Sequence, residues 1–580
     1  MKKTLFILTA LVLIALGPIS CETSSSSDYP PKKVLYGNIV DVKARKVFPG
    51  ELTICSGKVV SVKETAGVYD TYILPGFVDS HIHIESTLMV PENYARMAVA
   101  NGVVAAVCDP HEIANVLGVE GIDFMIDNGK QARFYFNFMA PSCVPSTTFE
   151  TSGATIDAEQ VAQLMQRDDI MGLAEMMNVP GVVYDDAQVL AKLQAAKDAG
   201  KPIDGHAPKT SGDDLRKYVA AGVSTDHECT SIDEAKEKLD LGMKIIIREG
   251  SAACDFEALY PLIQEYPGQL LFCSDDMYPD DIETIGYING LVKRAVAKGM
   301  PLWETLETAC LTPVTHYKLK NGLLKEGDAA DFIIVNNLDE FKILSTYIQG
   351  YEVYNANIGV TDALQCASAA VVTSALNKFK AEEIEETDIL VKCEGENMKV
   401  ITAVEGSLIT GKEVVAARSD AQGNVVTDVQ AGIAKLVVYN RYAAAAPQVA
   451  YIKGFGLHKG ALASTIAHDS HNIIAVGCDD KDIVNVINKP ISEKGGIAVS
   501  NGNDIKCLPL PIAGLMTTLK AEEVAKSHLE LKQMAKELGC VINAPYMTMA
   551  FMALPVIPDL KLTDMGLFDG IAFGFTSLWE

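Results

Sequence analysis

The chain has 580 residues, of which 48% are hydrophobic and 21% charged, a composition that predicts two or three folded domains and excludes a disordered polymer. Lys and Arg number 49 against 75 Asp and Glu, giving a net charge of −26. This acidic balance argues against a nucleic-acid partner, because phosphate contacts need a basic surface, but it leaves a small base or nucleoside open as a substrate. The 13 cysteines form no CxxC pair, which argues against zinc ribbons, c-type haem and thioredoxin-like redox motifs.

The N-terminus is similar to a bacterial lipoprotein signal. A basic start, Lys2-Lys3, precedes an apolar run over residues 5–16 that is too short to span a bilayer as a helix. Cys21 follows, and then a serine tract. We therefore expect residues 1–21 to be a signal peptide with Cys21 lipidated, and residues 22–33 to be a Ser-rich linker. The protein would then be exported and held at a bacterial membrane only through the lipid anchor. Cleavage by an ordinary signal peptidase, or an unexported cytoplasmic chain, are the alternatives.

Two β-rich segments, residues 34–74 and 322–357, flank a long α/β stretch. The first has short strand-like runs with turns predicted at Tyr36-Gly37-Asn38 and Ser56-Gly57-Lys58, and the second has a hairpin predicted over residues 348–353. We expect both segments to join in one small composite β domain, built on both sides of an inserted domain.

Residues 75–321 alternate strand-like runs with helix-length amphipathic stretches such as 185–199 and 283–298. Eight strands are predicted, near residues 77–83, 103–109, 134–140, 170–176, 203–207, 223–228, 243–248 and 270–275. Such alternation implies a parallel sheet, and eight units fit a (β/α)8 TIM barrel. Residues 360–580 are predicted to form a C-terminal α+β domain. The predicted fold class is thus α/β, a TIM barrel inserted in a small β domain and followed by an α+β domain.

The strongest local motif is Pro75-Gly76-Phe77-Val78-Asp79-Ser80-His81-Ile82-His83. A turn leads into an apolar strand that finishes with two histidines at i and i+2. Because side chains alternate along a strand, both imidazoles point to one side and are able to bind one metal site. Two histidines satisfied within the core are the alternative to a metal role.

Four more candidate ligands end predicted barrel strands, namely Glu175, His206, His227 and Asp275. The C-terminal ends of the strands form the face where TIM-barrel active sites assemble. A buried carboxylate such as Glu175, amid Leu, Ala and Met, is costly unless it is paired or metal-bound. Four histidines and two carboxylates are enough for two divalent metals with a bridging hydroxide. Alternation is expected to turn the neighbouring Asp276 away from the barrel axis.

The order HxH–Glu–His–His–Asp resembles the amidohydrolase superfamily and, within it, the adenine deaminases. The closer matches are Ile84-Glu85-Ser86, Cys108-Asp109-Pro110-His111-Glu112-Ile113-Ala114-Asn115-Val116, Gly172-Leu173-Ala174-Glu175-Met176-Met177, Ile247-Arg248-Glu249-Gly250-Ser251-Ala252 and Ala467-His468-Asp469-Ser470-His471-Asn472. The resemblance extends from Val34 to the C-terminus. It implies the hydrolysis of adenine to hypoxanthine and ammonia, a purine salvage reaction, by attack of a metal-bound hydroxide at C6. It also implies Glu175 as the bridging ligand, where many superfamily members have a carbamylated lysine.

The candidate metal ligands are His81, His83, Glu175, His206, His227 and Asp275. Imidazole and carboxylate ligands suit manganese, iron or zinc, and the resemblance favours a binuclear Mn²⁺ or Fe²⁺ centre over Zn²⁺. Asp275 is also expected to take the proton of the attacking water. Protonation of a purine ring nitrogen needs a second acid, and the candidates are Glu85, His111, Glu112 and Glu228. His111 is the first choice because it lies just past strand two, and each of the four is alternatively a helix cap or a support for a ligand.

Three further segments resemble functional motifs. The polar segment His468-Asp469-Ser470-His471-Asn472 lies between apolar residues, and His468, Asp469 and His471 are expected either to close the substrate site over the barrel mouth or to hold an internal turn.

His83-Ile84-Glu85 matches the first half of the HxE…PCxxC signature of the zinc deaminases, but PCxxC is absent, so that class is rejected. The near-dinucleotide segment Gly454-Phe455-Gly456-Leu457-His458-Lys459-Gly460 has the wrong spacing and predicts a tight loop.

Two other functions stay open at this point. An amidohydrolase that acts on another aminopurine, a cyclic amide or a dipeptide would share the metal ligands and differ in specificity loops such as 109–116 and 176–185. A non-catalytic purine-binding lipoprotein or adhesin would be favoured by a degraded ligand set, yet all six ligands are present. The oligomeric state, a homodimer included, also stays open.

Overall fold

The computed structural model describes residues 30–365 and 376–580. The predicted signal peptide, most of the linker and the lipidation site at Cys21 lie outside the described residues. Within the two described ranges, no helix is both long and apolar enough to cross a membrane.

The first four strands form one part of a mixed sheet. They are β1 (Lys33–Asp41), β2 (Lys46–Cys55), β3 (Lys58–Glu64) and β4 (Tyr72–Pro75). The turn predicted at Ser56-Gly57-Lys58 is confirmed, because Ser56 and Gly57 take φ values of 52° and 74° between β2 and β3. The turn predicted at residues 36–38 is wrong. Gly37 lies inside β1, opposite Gly50 of β2, and a Cβ on it would meet the Ile73 side chain at 3.0 Å, so this glycine serves close packing.

Eight parallel strands close into a barrel. They are β5 (Phe77–Ile82), β6 (Val103–Cys108), β7 (Tyr135–Phe138), β8 (Leu173–Met176), β9 (Ile203–Gly205), β10 (Thr225–Asp226), β11 (Lys244–Arg248) and β12 (Leu270–Cys273). Ladders join β5–β6–β7, β8–β9 and β10–β11–β12. The bridge between Ala140 and Leu173 connects β7 to β8, and the bridge between Ile82 and Asp275 closes the ring. Each observed strand lies inside its predicted run, so the predicted α/β alternation is confirmed.

The helices of this region surround the barrel. They are α1 (Pro91–Ala100), α2 (His111–Leu117), α3 (Val119–Gly129), α4 (Ala158–Met165), α5 (Val179–Val183), α6 (Ala187–Asp198), α7 (Gly212–Ala220), α8 (Ile232–Asp240), α9 (Phe256–Leu259), α10 (Leu262–Glu265), α11 (Pro279–Ile285), α12 (Ile288–Ala297), α13 (Leu302–Leu306) and α14 (Thr312–Tyr317). The helix predicted over residues 185–199 is confirmed as α6. The stretch 283–298 is not one helix, because Gly286, with a φ of 88°, separates α11 from α12.

Four strands after the barrel complete the first sheet. They are β13 (Phe332–Val335), β14 (Ile343–Ile348), β15 (Tyr351–Asn355) and β16 (Gly359–Val360). The sheet order is β16-β15-β14-β13-β4-β1-β2-β3. The hairpin predicted over residues 348–353 is confirmed, with its turn at Gln349 and Gly350. The strand β4 pairs with both β1 and β13 and leads directly into the barrel.

The C-terminal part contains a second eight-stranded sheet. Its elements and those that follow are β17 (Asn397–Val404), β18 (Ser407–Ala416), β19 (Ala434–Tyr439), β20 (Gln448–Lys453), β21 (Ala461–Ser464), β22 (Ile473–Gly477), α15 (Asp480–Glu493), β23 (Gly496–Ser500), β24 (Ile505–Pro509), α16 (Ala521–Glu537), α17 (Pro545–Ala550), β25 (Leu560–Thr563), β26 (Gly566–Asp569) and β27 (Gly574–Phe575). Alternate residues face opposite sides, as the period of a strand requires. Val437 packs with Ile483 of α15, while Leu436 joins the apolar core shared with the barrel.

Helix α16 is fixed to α11, the helix that follows the last barrel strand. Asp280 of α11 lies 2.7 Å from His528 Nδ1 and accepts a hydrogen bond of 2.8 Å from Lys532 Nζ. All three side chains are buried. These charged contacts hold the C-terminal part against the carboxyl end of the barrel.

Candidate metal centre and active site

The structure brings all six predicted metal ligands together at the carboxyl end of the barrel. Each side chain is buried, and His206, the most exposed of the six residues, is only 7% exposed. His81 and Glu175 lie inside β5 and β8, whereas the other four residues follow their strands within two positions. The six predicted ligands are His81, His83, Glu175, His206, His227 and Asp275.

Glu175 lies between two groups of imidazoles. Its Oε1 is 3.3 Å from His83 Nε2, whereas its Oε2 is 2.7 Å from His206 Nδ1 and 3.2 Å from His227 Nε2. Burial alone would raise the pKa of the Glu175 carboxyl, but the imidazoles, His206 first, hold that pKa well below its usual value. The carboxylate is therefore ionised and faces two positions at once.

The histidine pair of β5 is oriented for a cation. His83 Nδ1 lies 3.1 Å from the carbonyl oxygen of Asp109, so its N–H donates there and leaves a lone pair on Nε2. His81 Nε2 and His83 Nε2 are 3.1 Å apart, and Asp275 Oδ1 is 3.5 and 3.2 Å from them. Two imidazole nitrogens and a carboxylate oxygen therefore lie within 3.5 Å of one another, and this donor set fits a divalent metal.

Arg248 orients Asp275 from behind. The Asp275 backbone takes a φ of 53°, and its Oδ2 accepts a 2.9 Å hydrogen bond from Arg248 Nη1. Arg248 also pairs with Glu228 and, at 2.9 Å, with Asp255. Sequence reasoning gave Arg248 no role, although a charged residue that ends the apolar strand β11 was a signal.

The expectation that Asp276 points away from the barrel axis is wrong. Strand alternation does not reach Asp276, because β12 ends at Cys273 and Asp275 has a left-handed backbone. Asp276 lines the same cavity as Asp275 and accepts a hydrogen bond from Ser86 Oγ. Burial first, and then the charge of Asp275, raises the pKa of Asp276 to about 6.

A second buried cluster adjoins the metal ligands and combines barrel and C-terminal residues. It consists of His111, Glu112, His468, Asp469 and His471. His111 Nδ1 lies 2.9 Å from Asp109 Oδ2 and 3.5 Å from Glu175 Oε1. Burial would lower the pKa of His111, but Asp109 raises it well above its usual value, with a further contribution from Glu112.

Glu112 ties this cluster to the C-terminal part. Its Oε1 is 3.4 Å from His111 Nε2 and 3.0 Å from His468 Nδ1, and its Oε2 contacts His471 Nε2. Asp469 Oδ1 is 3.9 Å from His111 Nε2. The polar segment singled out in the sequence therefore lies at the barrel mouth.

The remaining candidate acids differ in position. Glu85 accepts a 3.1 Å hydrogen bond from the backbone of Ile113 and so supports the first turn of α2. Burial, and then Glu112, raises the pKa of Glu85 to about 7. Glu228 lines the metal-centre cavity, 3.7 Å from His206 Nδ1 and 3.6 Å from His227 Nε2, and is paired with Arg248.

Three apolar residues of the C-terminal part, Leu408, Phe551 and Leu554, line the same cavity of about 300 Å³. We call them the cover. Phe551 stacks on His468 with ring centroids 4.3 Å apart and an interplanar angle of 8°. Lys561 donates hydrogen bonds of 2.9 and 3.0 Å to the carbonyls of Leu408 and Phe551, and burial lowers its pKa to about 7. Sequence reasoning missed the cover, because apolar residues without a motif carry no functional signal.

Glu150, in the loop after β7, is a buried carboxyl near Asp469. Ser146 Oγ, Thr147 N and Thr147 Oγ1 all donate to its Oε1, whereas Oε2 has no hydrogen-bond partner within the described residues. Burial, and then the charge of Asp469, raises the pKa of Glu150 to about 8. The folded protein therefore keeps this carboxyl protonated at neutral pH.

We expect Glu150→Gln to raise the melting temperature increasingly with pH. The folded state keeps the Glu150 proton up to a pKa of about 8, but the unfolded state loses it near 4.5. Wild-type stability from this group is thus complete below the lower value and is lost as pH rises through the upper one. Glutamine does not ionise, so its advantage grows by about 3 kcal/mol between pH 6 and 9. Thermal unfolding of the wild type and the variant at both pH values measures this difference in stability. The exposed Glu159→Gln is the control, and an equal shift at both pH values for Glu150→Gln would contradict the prediction.

A parallel barrel with buried histidines and carboxylates at its carboxyl end defines a metal-dependent hydrolase of the amidohydrolase class, and a model of the amidohydrolase family matches residues 72–353. A model of the adenine deaminase C-terminal domain matches residues 407–574. An adenine deaminase of Methanosarcina mazei is 48% identical over 94% of this chain and 99% of the relative. One of Salinibacter ruber is 47% identical over the same shares. The chain belongs to the adenine deaminase family.

A solved structure of similar topology is the β-aspartyl dipeptidase of Fervidobacterium islandicum. It superposes with a TM-score of 0.44 and 16% identity, over 58% of this chain and 99% of that chain.

Proposed function

We propose that the protein hydrolyses adenine to hypoxanthine and ammonia at two divalent metal ions held by the barrel. The observation that carries the proposal is Glu175, since its Oε1 faces His83 while its Oε2 faces His206. A carboxylate whose two oxygens face two imidazole groups suits a site for two metal ions. Relatives named adenine deaminase, at 42–48% identity, indicate that the substrate is adenine. An intact ligand set argues against a purine-binding protein without catalysis.

The ligands divide into two groups around Glu175. His81, His83 and Asp275 would hold one ion, His206 and His227 the other, and Glu175 would join both. When bound, the two ions lower the pKa of a water to about 7 and so supply a nucleophile at neutral pH. Mixed imidazole and carboxylate ligands suit manganese, iron or zinc. Manganese or ferrous iron is our choice, from the family resemblance.

Asp275 carries the proton of the reaction. Its Oδ1 faces the metal ligands and its Oδ2 is held by Arg248. The His81 and His83 contacts outweigh burial and keep the pKa of Asp275 well below its usual value, so the group starts as a base. It takes a proton from the attacking water as oxygen bonds to C6. It then returns that proton to the exocyclic nitrogen, so that the C6–N bond breaks and ammonia leaves. The second proton of the water, left on the C6 oxygen, restores the proton that the ring nitrogen takes from His111.

His111 is the acid for the purine ring. Attack at C6 moves an electron pair onto the ring, and a ring nitrogen has to receive a proton or a hydrogen bond. Asp109 keeps His111 protonated, 3.5 Å from Glu175. Glu112 positions His111 through its contacts with His468 and His471. Glu85 and Glu228 are positioning residues, the former beneath α2 and the latter beside the metal-binding histidines.

The C-terminal part encloses the substrate. Leu408, Phe551 and Leu554 place apolar surface over the metal ligands, which keeps bulk water from the reacting ring and strengthens the charge interactions inside the site. His468 and Asp469 complete this wall on its polar side. The isolated barrel would hold the ligands but lack this enclosure.

We also propose the domain division predicted from the sequence. It comprises a composite β domain of residues 34–74 and 322–357, a catalytic barrel of residues 75–321 and a C-terminal domain of residues 360–580. The lipid anchor on Cys21, which lies outside the described residues, stays our proposal for its attachment to a bacterial membrane. Mass spectrometry of the N-terminal peptide tests it, and an unmodified Met1 start would favour the cytoplasmic alternative.

The proposed function predicts that chelation abolishes ammonia release from adenine and that about two equivalents of Mn²⁺ per chain restore it. Elemental analysis and an ammonia assay on the purified protein measure both. 2,6-Diaminopurine and dihydrouracil serve as control substrates, one for another aminopurine and one for a cyclic amide. Turnover of a control substrate by metal-replete protein that leaves adenine intact would replace the function. Full activity with a single metal would refute the two-metal site.

A further inference from the structure

Within the described residues, two cavities share lining residues with the metal-centre cavity. The larger, about 1400 Å³, lies between loops 144–149 and 177–180 of the barrel and the residues Val556 and Phe573. We call it the side cavity. The smaller, about 430 Å³, lies beside Glu228 and Arg248. Either space gives a substrate a route toward the buried residues of the centre.

The side cavity and the metal-centre cavity share two lining residues, Met177 and His206. His206 turns Nδ1 toward Glu175 at 2.7 Å, and its ring also borders the side cavity. Met177 is 5% exposed, and an unbranched thioether side chain changes conformation at little cost. Met177 and His206 thus border both spaces, and Met177 is the one of the two that adapts at little cost.

The smaller cavity shares Glu228, Arg248 and Leu408 with the metal-centre cavity, so buried ion pairs form much of the wall between them. Arg248 is bonded to Glu228, to Asp255 at 2.9 Å and to Asp275 at 2.9 Å, and all four side chains are buried. Breaking a buried pair leaves uncompensated charge and is strongly destabilising. A passage here would also displace the group that orients Asp275.

We propose that adenine enters and hypoxanthine leaves through the side cavity, with Met177 as the side chain that moves. The lining suits a flat, neutral heteroaromatic ring. Phe149 and Phe573 present aromatic surface, with centroids 5.6 Å apart in an edge-to-face arrangement, and Thr147 adds a polar group. The route rests on the proposed function only in taking a purine as the ligand.

Lys192, the lysine that lines the side cavity, already has two hydrogen-bond partners within the protein. Lys192 Nζ donates to the carbonyls of Ser142 and Ile156 at 2.7 and 2.8 Å. Burial lowers the pKa of Lys192. An ammonium held in this way fixes two wall segments and does not offer a site for an anion. The side cavity therefore favours passage of an uncharged base over retention of a phosphorylated nucleotide.

The test narrows the side cavity with Thr148→Trp and Val556→Trp, singly and together. The matched control is Thr230→Trp, since Thr148 and Thr230 are both exposed threonines, one on each of the two cavities. Stopped-flow fluorescence with 2-aminopurine gives association and dissociation rate constants for metal-replete protein. An obstructed route slows entry and exit equally and leaves both end states unchanged. We expect both constants to fall about tenfold in the double variant, with Kd and metal content unaltered.

Thr230→Trp is expected to leave both rate constants at wild-type values, and Met177→Ala to raise both. Wild-type rates in the double variant, or an equal slowing by Thr230→Trp, overturn the route. A weaker Kd with an unchanged dissociation rate also overturns it, because that result places the tryptophans in the binding site. If the double variant does not fold, the single variants decide by the same criteria. Binding of 2-aminopurine needs no turnover, so failure of adenine deamination in the wild type refutes the proposed function separately.

Discussion

His83→Ala is expected to abolish turnover and to remove about one metal ion per chain. His83 Nε2 lies within 3.3 Å of both Glu175 Oε1 and Asp275 Oδ1, so alanine leaves two carboxylates facing each other without the imidazole. Loss of even an outer partner of a ligand costs about 10–100-fold in metal affinity, and loss of the ligand itself should cost more. Elemental analysis and kcat on adenine measure the result.

The control for this substitution is His458→Ala, because His458 is exposed and lies outside the metal centre. It should keep the wild-type metal content and activity. His81→Ala should behave like His83→Ala, since their Nε2 atoms are 3.1 Å apart. Retention of two metals and full turnover in both barrel variants would refute the ligand assignment.

Asp275→Asn is expected to lose about 10²–10⁴-fold in kcat while it keeps much of its metal, which corresponds to about 3–5 kcal/mol of transition-state stabilisation. Asparagine retains the shape and one oxygen but not the proton-accepting charge. That oxygen either faces the metal ligands or accepts from Arg248, and it cannot do both. Some loss of metal affinity should therefore accompany the loss of rate. The measurement is kcat on adenine at matched metal content.

Asp276→Asn is the comparison for this prediction. Asp276 lines the same cavity, so its replacement should not be silent, but one of its oxygens is engaged by Ser86. We expect a loss of about tenfold, the size of one hydrogen bond to a charged group. If Asp276→Asn is the inactive variant and Asp275→Asn the active one, the proton-carrying role belongs to Asp276.

The barrel was predictable because its signals are local, and signals of the same kind led to the six proposed ligands. Strand runs such as 77–83 and 243–248 are apolar over one short stretch, and the pair His81 and His83 needs only the two-residue period of a strand. The two-residue period predicted the wrong side-chain direction for Asp276, because the period was applied beyond Cys273, where β12 ends. A left-handed residue at 275 leaves no trace in hydrophobic periodicity.

The rest of the site depends on contacts between distant segments. Arg248 gains its role from Glu228 and Asp275, which follow other strands of the barrel. Leu408 and Phe551 become parts of one surface only because Lys561 binds both carbonyls. Such pairings are set by tertiary packing, and a sequence read in short windows does not contain them.

The order of the proposed metal ligands and the cover along the chain also affects when the metal is bound during synthesis of the protein. Every metal ligand precedes residue 276, whereas the cover begins at Leu408. At 5–20 residues per second, Leu408 follows the last ligand by roughly ten seconds. We therefore expect metal uptake by the nascent barrel to be fast and uptake by the finished protein to be slow. If the chain instead crosses a membrane unfolded, the cover closes on the far side. The ions available in the compartment where the cover closes would then decide which metal the protein retains.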